Sequence, residues 1–125
     1  MPNSNWKNLE RKVANDLGVS RVLQKGLSVP DVKYKNIIIE CKNAQHLNLK
    51  KAMEQLESYR ENSNEIMVLV FKETNKRNTN VFMKMGDLKK LLKNSLQKAD
   101  CLVSLDYKDF IEYARKYKTK DTENG

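Results

Sequence analysis

The sequence predicts a single layered domain in which a small β-sheet is combined with helices, an α/β or α+β arrangement, and three observations carry that prediction. Apolar residues recur at helical spacing in Trp6, Leu9, Val13 and Leu17, and again in Leu49, Ala52, Met53, Leu56 and Tyr59. Short runs rich in β-branched and aromatic residues, separated by polar turns, read as two hairpins. At 125 residues there is room for one domain, and folding a chain of this size removes roughly two-thirds of its extended surface from water, enough for one core without disulfides.

The first helix has Ser4 or Asn5 as its N-cap and Gly18 as its stop. After a loop around Gly26, residues 31–34 and 37–42 read as strands joined by Lys35-Asn36. Asn48 caps a second helix that runs to the neighbourhood of Asn62-Ser63-Asn64. Strands over residues 65–72 and 80–85 flank a polar loop, residues 74–79, which makes a second hairpin. Asp87 is placed to cap a short third helix carrying Leu88, Leu91 and Leu92, and Tyr107, Phe110, Ile111, Ala114 and Tyr117 mark a fourth. Residues 1–117 are the expected domain. Residues 118–125 have no apolar anchor and are expected to be a disordered tail.

Composition narrows the function. The longest purely apolar stretch, Ile66 to Phe71, is too short to span a bilayer, and the first residues lack the apolar run and cleavage site of a secretory signal. A cytoplasmic protein is expected, in which Cys41 and Cys101 stay reduced. Two cysteines and His46 are too few for a structural zinc site. The 24 Lys and Arg against 16 Asp and Glu give a net charge of +8. Such a surplus points to a polyanion, most often nucleic acid, rather than to a membrane, because no helix pairs a bulky apolar face with a strictly basic one. The internal glycines, Gly18, Gly26 and Gly86, form no phosphate-binding loop.

The first hairpin carries the chemistry. A two-residue turn at Lys35-Asn36 sets Asp31 opposite Glu40, and like charges at such a spacing are destabilising unless something compensates. A divalent cation would compensate, because Mg²⁺ takes one or two carboxylates together with waters and phosphate oxygens, and Mn²⁺ accepts the same ligands. Side chains alternate along a strand, so Lys42 projects with Glu40 while Cys41 faces the other way into the core. In metal-assisted phosphodiester hydrolysis a cation beside the carboxylates stabilises transition-state charge, or aligns the attacking water. Acidic-x-Lys also occurs at Glu10-Arg11-Lys12, Asp87-Leu88-Lys89 and Asp106-Tyr107-Lys108, but on predicted helices, where such residues do not share a face. The bland reading of the hairpin is a solvated end in which Lys42 neutralises two surface acids.

Pro30-Asp31 followed by Glu40-Cys41-Lys42 after an apolar strand resembles the signature of the PD-(D/E)XK nuclease superfamily. The resemblance covers residues 5 to about 85. It implies an α/β, restriction-endonuclease-like core: a central mixed β-sheet flanked by helices. Two further features resemble the branch containing archaeal Holliday-junction resolvases and small phage or repair nucleases: Glu10 on the first helix, and Gln55-x-x-x-Tyr59 on the second. On that resemblance Asp31 and Glu40 hold Mg²⁺, Glu10 assists the metal or water, Lys42 is the transition-state cation, and Gln55 and Tyr59 position water, Lys42 or a phosphate. Resolvases of this kind act as homodimers, which suits two paired cuts. Taken without the family, Glu10 reads equally as a flank carboxylate and Tyr59 as core packing.

Lys25 and Ser28 before Asp31, and Lys76 and Arg77 at the second hairpin, are expected to contact the phosphate backbone. His46 forms no recognisable triad and is left as a bystander or a phosphate contact. No base-reading module is evident, so recognition of DNA structure is expected over sequence. The expectation is therefore a metal-dependent DNA endonuclease. The alternative is a non-catalytic nucleic-acid-binding protein retaining the fold, and a third reading is a basic module that binds an acidic protein.

Overall fold

A computed structural model of the chain describes residues 5–22, 29–92 and 102–117. The expected tail, 118–125, and the expected phosphate contacts Lys25 and Ser28 lie outside the described residues. Helix α1 (Asn5–Leu17) buries Leu9, Val13, Ala14 and Leu17 along one stripe. It stops as expected at Gly18, whose φ of +74° lets its N–H donate to the Asn15 carbonyl at 3.1 Å and the Val19 N–H to Ala14 at 2.9 Å.

Strands β1 (Val32–Tyr34) and β2 (Ile37–Ala44) form the expected hairpin, with Val32 opposite Ile39, Lys33 opposite Ile38 and Tyr34 opposite Ile37. Lys35 makes the tight bend at φ +56°, a strained region for a residue with a Cβ. Its ammonium donates to the Tyr117 carbonyl at 2.7 Å, tying the turn to the last of the described residues. Two bounds differ from expectation: β2 runs on past Lys42 to Ala44, and Asp31 sits just before β1 rather than within it. Its N–H donates to the Ile39 carbonyl at 3.1 Å, its carbonyl accepts from the Val22 N–H at 2.9 Å, and an isolated bridge pairs Arg21 with Val32.

Helix α2 (Leu49–Glu57) begins where Asn48 Oδ1 accepts the Lys51 N–H at 3.1 Å. It ends at Glu57, earlier than its apolar spacing predicts. The cause is a charged knot. The Arg60 guanidinium donates to Glu57, to Asp87 at 3.2 Å and to the Glu65 carbonyl at 2.7 Å. The Glu65 carboxylate collects the N–H groups of Glu61 and Asn62 at 2.6 and 2.9 Å, which turns the chain towards β3 (Ile66–Glu73).

Strand β3 runs parallel to β2, with Ile37 opposite Ile66 and Ala44 opposite Glu73, a pairing that needs the α2 crossover. Strand β4 (Thr79–Lys84) returns antiparallel, and α3 (Met85–Leu92) follows without a loop. Asp87, expected as a cap, lies inside the first turn of α3 and is 3% exposed, held by Arg60 and Lys90. Strand β5 (Leu102–Asp106) pairs antiparallel with β4 where the periodicity predicts no strand, and α4 (Tyr107–Lys116) is the last element among the described residues.

The sheet order is β1-β2-β3-β4-β5, with β2 and β3 at its heart. Ile37, Ile39, Cys41, Ile66, Val68 and Val70 face a core built with α1, α3 and α4, whereas Ile38, Met67 and Leu69 face Ala52, Met53 and Leu56 of α2. The protein is an α/β domain, a five-stranded mixed sheet flanked by helices. Among the described residues, no helix is long and apolar enough to cross a membrane.

Candidate active site

The apolar first half of β2 is buried on both faces, which makes the strand a fixed platform for its polar second half. Alternation then places Ile38, Glu40 and Lys42 on the α2 side, and Cys41 on the α1 side. Burial pushes the Cys41 thiol well above its ordinary range, and it acts as a small core residue.

On the α2 side a continuous line of hydrogen bonds begins at Lys42. Its Nζ donates to Gln55 Oε1 at 3.3 Å, Gln55 Nε2 donates to Tyr59 Oη at 3.1 Å, and Tyr59 Oη donates to Glu40 Oε2 at 3.2 Å. The two ends of the line are two residues apart on β2. Gln55 can serve both neighbours only with its carbonyl towards the ammonium and its amide towards the phenol, so the line has one sense. The i, i+4 spacing of Gln55 and Tyr59 survives although Tyr59 lies just past the end of α2.

Asp31 closes the other side. Beyond Val32 the first strand no longer covers β2, and the Cys41 N–H donates instead to Asp31 Oδ2 at 2.7 Å. A side-chain oxygen thereby stands in for a main-chain carbonyl and is fixed beside Glu40. Glu40 is 4% exposed. Burial first, then a hydrogen bond to Asp31 and the Asp31 charge, push its carboxyl up to about 8, against the weaker opposing pull of Lys42 and Tyr59. Glu40 therefore favours its protonated form beside Asp31.

Glu10 reaches the same end of the sheet from α1 and is 5% exposed. Burial raises its carboxyl, and Asp31 raises it further. Arg21 partly offsets both, with Nη1 at 3.4 Å from Glu10 Oε1. Arg21 was not singled out by sequence, and the only cue to it is that a charge on a buried stripe needs a partner. Among the described residues, no three or more His, Cys, Asp or Glu side chains form a group able to hold a metal ion by themselves. The donors gathered here are the half-buried Asp31 and the buried Glu40, with Glu10 engaged by Arg21. That set fits Mg²⁺ completed by water and phosphate oxygens.

The remaining residues lie further out. Lys76 and Arg77 are exposed on the β3–β4 turn, at the end of the sheet towards which β2 and β3 both run. Arg77 lines a cavity of about 570 Å³ with Lys12, Asp16 and Tyr107, apart from the Glu40 line. His46 lines a different cavity, of about 410 Å³, which Lys42 and Gln55 also line. Comparison of the chain with protein families, with curated proteins and with solved structures finds no match.

Proposed function

We propose that the protein is a divalent-metal-dependent DNA endonuclease with a restriction-endonuclease-like core, resembling the PD-(D/E)XK nucleases. One observation carries the reading: the buried Glu40 beside the half-buried Asp31, with Glu40 linked through Tyr59 and Gln55 to the ammonium two residues along the same strand. A satisfied ion pair would place Lys42 on the acids; here the acids remain short of positive charge while the ammonium is held off by an amide. Asp31 and Glu40 would hold Mg²⁺ or Mn²⁺, which supplies a more acidic water and charge neutralisation at the phosphate. Lys42 is presented towards the non-bridging oxygens, where charge grows in the transition state. Gln55 and Tyr59 are positioning residues, and the Glu10–Arg21 pair supports Asp31 from the α1 side.

The net charge of +8 supports a polynucleotide substrate. Selection of a branched DNA such as a four-way junction, and action as a homodimer, rest on the likeness to resolvases. The test is incubation of the protein with labelled junction, flap and linear duplex, with Mg²⁺ or EDTA. Metal-dependent cutting that falls by about 10²-fold or more in both Glu40→Ala and Lys42→Ala is expected. Binding without cutting, indifferent to EDTA and to Glu40→Ala, would make the protein a DNA-binding domain.

A further inference from the structure

The 410 Å³ cavity beside Lys42 is lined by Lys42, His46, Lys51 and Gln55, with Asn48 and three apolar residues, and no carboxylate lines it. The other two cavities differ. The 570 Å³ cavity includes Asp16, Asp106 and Glu112, and a 620 Å³ groove on the other flank of α2 includes Glu54 and Glu57. The 570 Å³ cavity also carries a basic surplus, through Lys12, Arg77, Lys108, Arg115 and Lys116, but among these three only the hollow beside Lys42 sets its lysines against no acid, and that hollow shares two side chains with the candidate active site. The Lys51 N–H is already satisfied by Asn48 Oδ1, so any anion held there meets the Lys51 ammonium and the imidazole N–H rather than the start of the helix.

We infer that this cavity seats a phosphate of the same DNA strand, next to the phosphodiester that is cut, with Lys51 and His46 as its ligands and Lys42 between the two phosphates. The inference rests on the nuclease reading and deepens it. A substrate must continue past the scissile bond on the α2 side, so the protein cuts within strands and handles a dinucleoside monophosphate poorly.

The test maps the cut in a duplex and then replaces single phosphates flanking it by neutral methylphosphonates. One position is expected to raise KM about tenfold in the wild type, the loss of one charge-assisted contact, with kcat within about twofold. In Lys51→Ala the same replacement should add nothing, because the contact is already gone. Lys50→Ala is the control: it removes the same charge from the next residue of α2, which lines the groove on the other flank, and keeps the full position dependence. If Lys51→Ala responds to the methylphosphonate as the wild type does, or no flanking position matters, the inference is overturned while the nuclease stands. A binding arm in EDTA separates the two claims. The slope of log Kd against log salt should fall by about 0.9 in Lys51→Ala and less in Lys50→Ala. That result without cutting keeps the phosphate seat and sinks the nuclease, whereas equal slopes in the two variants, or no DNA binding, sink the seat.

Discussion

Glu40 is the residue on which the site's electrostatics turn. Its carboxyl ordinarily titrates near 4.5 and is pushed up to about 8 by burial and by Asp31. The folded protein therefore keeps a proton that the unfolded chain releases, so stability is full below pH 4.5 and is lost as pH rises towards 8. Thermal melts without metal should show Tm falling across that window, and Glu40→Gln should flatten the fall. Mg²⁺ should raise Tm at the alkaline end in the wild type alone, because it binds the folded pair. A wild-type Tm that is level across the window would contradict the assignment. Tyr59→Phe tests the line from its other end: the phenol favours the Glu40 carboxylate, so its loss should move the rising limb of the pH–rate profile to higher pH. A merely structural Tyr59 would lower the rate without moving that limb. The hairpin turn and strand alternation bring Asp31, Glu40 and Lys42 together from sequence, and helical spacing pairs Gln55 with Tyr59, because these are local geometry, whereas the meeting of the two groups is implied by the resemblance alone. Arg21 could not be placed from sequence, since its contact with Glu10 depends on the route of the chain after α1.

Among the elements, α2 is the one whose placement matters most, because it delivers Gln55 and Tyr59 to β2. Its apolar face packs on Ile38, Met67 and Leu69, and its far end is pinned by Arg60 to the buried Asp87 of α3. Arg60→Met leaves that carboxylate with Lys90 alone and should destabilise the fold by about 3 kcal/mol in urea titrations. Lys12→Ala, which removes an exposed pair with Asp16, should stay within about 0.5 kcal/mol. A small effect of Arg60→Met would mean that Asp87 is satisfied without it. The same knot explains why the apolar spacing runs α2 on too far: Arg60, Glu65 and Asp87 meet only in three dimensions. Strand β5 leaves no periodic signal for a different reason. Its five residues alternate between exposed and half-buried positions at the end of the sheet order, so they leave no continuous apolar run between two helical patterns.

At the scale of the molecule, residues 10–59 supply the acid pair and the line to Lys42, while β4, α3, β5 and α4 close the core beneath them. The two halves of the site differ in how far apart they lie along the chain. Asp31 and Glu40 are joined by a hairpin with a two-residue turn, a kind of element that closes within about 1–10 μs on its own. Glu40, Tyr59, Gln55 and Lys42 meet only after the parallel β2–β3 crossover has docked, a non-local step and so a slower one. During refolding the two carboxylates thus face each other before the lysine is secured. Mg²⁺ should relieve them at that moment, steepening the rise of the refolding rate at low denaturant in the wild type and not in Glu40→Gln. An unchanged refolding arm with slower unfolding would place the meeting of the acids after the barrier. In the first case the metal would be a participant in building the very fold that later uses it.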